Sequence, residues 1–195
     1  MISGIVLASG FSSRFGSDKL MSNFNGKEVI RWVIDSCISS RLDEIIVVYR
    51  TPELSDLLKD YPVKMVENKT AHSGMSASVR LGVSSLSNQS IGCLILMGDQ
   101  PLFGKNDINI MIDRFKRDRF LVVASHNGKR KNPVIFPRSY YKRLLSSTGD
   151  KGGRDIIDSD SDKILIEFDY EKLLDIDTKY DLEQLIGDKE EQFDV

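Results

Sequence analysis

Two kinds of hydrophobic pattern alternate along this chain. Short unbroken apolar runs read as strands buried on both faces, the form that parallel sheets take. Ile5-Val6-Leu7, Glu44–Tyr49 (EIIVVY) and residues 93–97 (CLILM) are of this kind. Between the runs, apolar residues recur every three or four positions. Val29, Ile30, Val33, Ile34, Cys37 and Ile38 make one such stripe and predict a helix, with Trp32 expected in the core. The same reading predicts a short helix over 53–59 behind Pro52, which suits a first helical turn. A strand over 63–67 and a helix over 76–86 follow, then a helix over 107–116 and a strand over 120–124. The CLILM run is the most apolar and is expected at the centre of the sheet.

Past residue 124 the alternation loosens. Segments 132–136, 139–145 and 163–168 form a less regular β/α section around the turn-rich stretch 146–153, and a helix over 179–186 closes the pattern. Lys129-Arg130-Lys131 reads as a solvated turn and 114–119 as a polar helix end. Strands alternating with helices imply an α/β fold, with a mostly parallel sheet covered by helices on both faces. The site of such a sheet lies at the carboxyl ends of its strands. One domain over 1–187 is expected, followed by an acidic tail over 188–195 that should fray.

Composition narrows the classes. The chain has 195 residues, 41% hydrophobic and 29% charged, as globular proteins do. A net charge of −2 without a long basic run argues against general nucleic-acid binding. No stretch approaches the roughly 20 apolar residues of a membrane span, and the N-terminus lacks the layout of a signal peptide. Cys37 and Cys93 sit in apolar contexts without zinc-ligand spacing, which suits core thiols in a reducing compartment. The expectation is a cytoplasmic protein with no membrane and no nucleic-acid partner.

Candidate chemistry gathers where strands end. The stretch Leu7-Ala8-Ser9-Gly10-Phe11-Ser12-Ser13-Arg14-Phe15-Gly16-Ser17-Asp18-Lys19-Leu20 turns a strand into a loop of small residues with two cations. Backbone N–H groups reach phosphate oxygens in such loops, and the cations take remaining charge; the alternative is a solvated β–α turn. The stretch contains neither a P-loop nor G-x-G-x-x-G. Asp99, in Gly98-Asp99-Gln100-Pro101-Leu102, is either a hard oxygen ligand for a cation such as Mg²⁺ or the cap of the next turn. Asp177, in Asp175-Ile176-Asp177-Thr178, divides in the same way between ligand and helix N-cap. Gly74-Met75-Ser76-Ala77-Ser78-Val79-Arg80 offers helix-start N–H groups and hydroxyls to a ribose or base, or else simply caps its helix. His72 and His126 are isolated and suggest no metal site.

Six segments in order, LASGFSSRFGSDKL, GMSASVRLG, LILMGDQPL, NPVIF, GDKGGR and DIDTKYDL, resemble the MobA-like nucleotidyltransferases, and within them the molybdenum cofactor cytidylyltransferases. The resemblance implies a single Rossmann-like domain of the nucleotide-diphospho-sugar transferase kind. It implies transfer of CMP from CTP to the terminal phosphate of a molybdopterin-type molybdenum cofactor, with Mg²⁺ or Mn²⁺, pyrophosphate as product and a molybdenum hydroxylase as recipient. By position, Leu7, Ala8, Ser9 and Gly10 meet the nucleotide, Arg14 and Lys19 hold the triphosphate, and Gly74, Ser76 and Ser78 lie near base or ribose. Asp99 and Asp177 bind the metal. Gln100, Pro101, the turn Asn132-Pro133-Val134, Gly149, Asp150, Gly152 and Arg154 face the pterin. Ser9 stands where the family usually has Ala or Gly, and Glu28 where Pro is common. A GTP-using enzyme, a sugar-phosphate nucleotidyltransferase and a non-catalytic cofactor carrier are the alternatives.

Overall fold

The computed structural model describes residues 1–13 and 15–190; Arg14 and the last residues of the acidic tail lie outside them. Strand β1 (Ile2–Ala8) runs into the small-residue loop, a short hairpin of β2 (Asn23–Phe24) and β3 (Lys27–Glu28), and helix α1 (Val29–Ile38). Next come β4 (Glu44–Tyr49), α2 (Pro52–Leu57), β5 (Lys64–Glu67), α3 (Met75–Ser84), β6 (Gly92–Met97) and α4 (Lys105–Asp118). The chain continues through β7 (Val122–His126), β8 (Lys129–Pro137), α5 (Tyr141–Leu145), α6 (Arg154–Ser159), β9 (Ile164–Glu167) and α7 (Lys179–Glu190).

Among the described residues, the main sheet has seven strands in the order β5-β4-β1-β6-β8-β7-β9. β6 lies at its centre, as its composition predicts. β1 pairs in parallel with β4 on one side and β6 on the other, so every one of its residues is buried. Its side chains divide between two layers. Ile2, Val6 and Ala8 pack with the apolar faces of α1 and α4, including Val29, Val33, Ile108 and Phe115. Ile5 and Leu7 pack with Val79 and Val83 of α3, Leu144 of α5, and Ile156 and Ile157 of α6. Helices therefore cover both faces. Among the described residues, no helix is long and apolar enough to cross a membrane.

Several local expectations change. Lys129-Arg130-Lys131 is not a solvated turn but the start of β8, which runs antiparallel to both β6 and β7. The turn is Asn127-Gly128, with φ of 51° and 70°, and His126 pairs with Lys129 across it. Two central residues at positive φ are what a tight hairpin requires, and Asn-Gly supplies them. Asn132-Pro133-Val134 is likewise strand rather than turn. Trp32 is only partly buried: its Nε1 donates to Phe24 O at 2.7 Å, pinning the β2–β3 hairpin to α1. The closing helix extends beyond Ile186 to Glu190.

Candidate active site

The chain leaves β1 toward β4 on one side and later fills β6 on the other, so the strand order reverses between β1 and β6. In open α/β sheets, ligands bind outside the carboxyl ends of the strands at such a point. A cleft of about 530 Å³ opens there, walled by the loop after β1, the start of α3, Asp99 just past β6 and the segment before α7. Gly98 N donates to Leu7 O at 3.0 Å, tying the ends of β6 and β1 together.

Lys19 enters the cleft from a single 3₁₀ turn, Lys19–Met21. Asp18 caps that turn by accepting Leu20 N at 3.1 Å, and buried Leu20 anchors it to the core. From there Lys19 Nζ reaches Asp99 Oδ2 at 2.5 Å and Asp177 Oδ1 at 3.0 Å. Burial works against the ammonium, but the two carboxylates outweigh it and hold Lys19 above its ordinary pKa.

Asp99 does not spend its carboxylate on a turn. Oδ2 meets Lys19, and Oδ1 is buried with no hydrogen-bond partner among the described residues. Asp177 is not the helix cap either. Thr178 and Asp181 form a reciprocal capping pair, with Asp181 N donating to Thr178 Oγ1 at 3.1 Å and Thr178 N donating to Asp181 Oδ2 at 2.7 Å. The Asp177 carboxylate is thereby left to face Lys19. Ile176 N donates to Asp99 O at 2.9 Å, and Gln100 Nε2 to Leu173 O at 3.2 Å; these bonds clamp the 173–177 segment beside β6. The clamp also brings in Asp175. Its carboxyl is open to the cleft, yet partial desolvation and then the charges of Asp99 and Asp177 push it up to about 6.

The opposite wall is built from α3 and the 149–154 loop. Gly74, at φ 89°, opens α3, and a Cβ there would collide with Asp150 Oδ1 and come within 2.7 Å of Gly149 C. Asp150 Oδ1 accepts Met75 N at 3.3 Å, and Ser76 Oγ accepts Gly152 N at 3.2 Å. Deeper in the cleft, Ser9 Oγ and Ser78 Oγ share a hydrogen bond of 2.7 Å, and buried Asn68 Nδ2 donates to Ser78 Oγ at 3.0 Å.

Of the residues singled out by sequence, Leu7, Ser9, Gly10, Lys19, Gly74, Ser78, Asp99, Asn132, Asp150, Arg154 and Asp177 line this cleft. Ala8, Ser76, Gln100, Pro101 and Pro133 are buried behind it, and Gly149 and Gly152 shape the loop without lining the cleft. Ser76 Oγ accepts Gly152 N and Gln100 Nε2 donates to Leu173 O, bonds that hold the cleft walls in place. Arg14 lies outside the described residues. Asp175 and Asn68 escaped the sequence reading. Asp175 precedes Asp177 by two positions in an extended segment, and Asn68 directly follows a parallel strand; both spacings point at the site edge of the sheet. His126 is turned away: its Nδ1 lies 3.0 Å from Phe168 O, outside the cleft.

The profile of the MobA-like NTP transferase domain matches residues 4–165. A probable molybdenum cofactor guanylyltransferase of Natranaerobius thermophilus is 33% identical over 124 residues, which cover 63% of this chain and 58% of that protein's length. The purine catabolism protein PucB of Bacillus subtilis is 27% identical over 92% of this chain and 94% of its own. Among solved structures, Mycobacterium tuberculosis Rv0371c in complex with manganese superposes with a TM-score of 0.76 at 21% identity, covering 95% of this chain and 98% of the other. With the family profile spanning both β1 with its loop and the β6–Asp99 junction, the chain belongs to the MobA-like NTP transferase family.

Proposed function

We propose that this chain transfers CMP from CTP to the terminal phosphate of a molybdopterin-type molybdenum cofactor, releasing pyrophosphate. The observation that carries this reading is the charge balance of the cleft. Among its described lining residues, the carboxylates of Asp99, Asp150, Asp175 and Asp177 stand against the cations Lys19 and Arg154. Such a cleft disfavours a bare nucleoside triphosphate and accepts one that arrives with a divalent cation. The donor set fits Mg²⁺ or Mn²⁺: Asp99 Oδ1 is a hard oxygen, buried without a partner, and Asp177 faces the same point. Bound through Asp99 and Asp177, the ion would neutralise triphosphate charge and stabilise the departing pyrophosphate.

The chain's own residues supply position and charge. A phosphate monoester has a second pKa of about 6 and is mostly dianionic at neutral pH. Its oxygen attacks the α-phosphorus, the new P–O bond forms as the bond to pyrophosphate breaks, and no proton has to move. This agrees with a cleft whose described lining contains no histidine. Lys19, with Arg14 by its place in the loop motif, offsets the repulsion between the two anions and takes up charge on the leaving group. Asn132 and Arg154 on the far side receive the acceptor. The family resemblance supplies the pterin as acceptor and a molybdenum hydroxylase as its destination.

Ser9 supports CTP. Its hydroxyl is held by Ser78 at the cleft floor, where related guanylyltransferases commonly read Leu-Ala-Gly-Gly and leave room for a purine. GTP is the second reading, favoured by the guanylyltransferase name of the Natranaerobius relative. Pyrophosphate release is measured with CTP or GTP, Mg²⁺ and molybdenum-loaded molybdopterin, with mass detection of the dinucleotide. CTP-dependent turnover is expected. A preference for GTP would overturn the Ser9 argument, pterin binding without pyrophosphate would favour a carrier, and no pterin binding would redirect the search to sugar phosphates.

A further inference from the structure

A positive charge already sits where the carboxylates converge. Lys19 Nζ bridges Asp99 Oδ2 at 2.5 Å and Asp177 Oδ1 at 3.0 Å, with the lysine and Asp99 side chains each only 12% exposed. Asp99 Oδ1, beside this contact, has no hydrogen-bond partner among the described residues. The ammonium thus occupies the point at which two acidic side chains far apart in sequence offer oxygens to a cation. A lysine head is a compact charge on a flexible stem, so it can leave by rotating its own side chain. With two of its three N–H groups on the carboxylates it has at most one left for a triphosphate, and leaving them frees all three.

We propose that Lys19 is a resident counterion of the Asp99–Asp177 pair, that a divalent cation competes with it for those carboxylates, and that the displaced lysine then engages the nucleotide phosphates. The proposal rests on the nucleotidyltransferase reading above and adds an order of events to it. Metal alone must evict an ammonium to which the described lining offers only other carboxylates, Asp150 and Asp175. Metal accompanied by a nucleotide gives that ammonium a phosphate to bind. Metal and nucleotide should therefore tighten each other's binding, and the coupling must be reciprocal.

The test uses the intact protein and Mn²⁺ alone, with free Mn²⁺ quantified by electron paramagnetic resonance. Lys19→Met should bind Mn²⁺ more tightly than the wild type by a factor of about 10 or more, the usual effect of a close charge. Lys19→Gln serves the same purpose if the methionine variant does not fold. Lys19→Arg, which keeps the charge, should stay near wild type. Arg154→Met removes a different cleft cation and should change the affinity by no more than about twofold. Adding the α,β-methylene analogue of CTP, or of GTP if that is the nucleotide bound, should tighten Mn²⁺ binding in the wild type and do so less in Lys19→Met. Equal or weaker Mn²⁺ binding by Lys19→Met, or an equal gain in Arg154→Met, overturns the competition. Asp99→Asn in the Lys19→Met background separates the two levels of failure. If it leaves Mn²⁺ binding intact, the metal lies elsewhere, and both the proposed metal site and this proposal fall. If it abolishes binding where Lys19→Met had gained nothing, only the competition falls.

Discussion

Replacing Asp99 by Asn separates the chemistry of the cleft from the stability of the fold. The change keeps the shape of the side chain and removes its charge. In the folded protein, Asp99 Oδ2 accepts from Lys19 at 2.5 Å, while Oδ1 is buried without a partner. An amide oxygen still accepts from the ammonium, so the loss is the charge-assisted part of one hydrogen bond, about 1–2 kcal/mol. Lys19 also keeps Asp177 at 3.0 Å, so no cation is stranded. The buried atom without a partner becomes an amide nitrogen instead of a carboxylate oxygen, which adds little. For a domain of this size, that cost lowers Tm by roughly 2–8 °C. The rate should respond far more, because in the proposed reaction the variant loses a negative ligand for the metal–triphosphate. Loss of one preorganised electrostatic contact typically costs a factor of about 10²–10³, or roughly 3–4 kcal/mol. Thermal melts followed by circular dichroism and pyrophosphate release with excess Mg²⁺ measure the two effects side by side. A folded Asp99→Asn variant that turns over within about threefold of wild type would refute the assignment of Asp99 to the metal–triphosphate.

Lys19→Ala should lower kcat by about 10²-fold while KM changes little; a change confined to KM would mean that Lys19 contributes only uniform binding. Gly74→Ala places a side chain at φ 89° and drives it against Asp150 and the Gly149 backbone. It should cost about 1–3 kcal/mol in urea denaturation, and an unchanged midpoint would show that α3 and the 149–154 loop do not pack so closely in solution. Burial pushes the Cys37 and Cys93 thiols up to about 12, so almost no thiolate exists at pH 8. Neither should react with a thiol reagent in the native protein, and both should react in denaturant; prompt labelling at pH 8 would contradict the packing.

The alternation of strand and helix is legible in the sequence because it depends on local periodicity. Glu44–Tyr49 and the CLILM run announce buried parallel strands, and the stripe from Val29 to Cys37 announces the helix that covers them. The loop from Leu7 to Lys19 is visible for the same reason, since small residues and cations follow a strand end within a dozen positions. Even β8 left a local trace in Asn127-Gly128, the tight turn that makes a strand of the Lys129–Lys131 run. The composition of the cleft is another matter. Lys19 meets Asp99 across 80 positions of sequence and Asp177 across 158. Asp177 is a cleft carboxylate rather than a cap because Thr178 and Asp181 close the helix start, and Asp175 joins it because the Ile176–Asp99 bond clamps the segment. Ser76 and Gln100 are buried in the cleft walls for equally remote reasons, their partners being Gly152 and Leu173. Periodicity reports which face of an element is apolar. Which polar groups share a cleft, and which are spent holding its walls, follows from desolvation and hydrogen-bond satisfaction between distant segments, and those terms come into force only when the sheet brings the segments together.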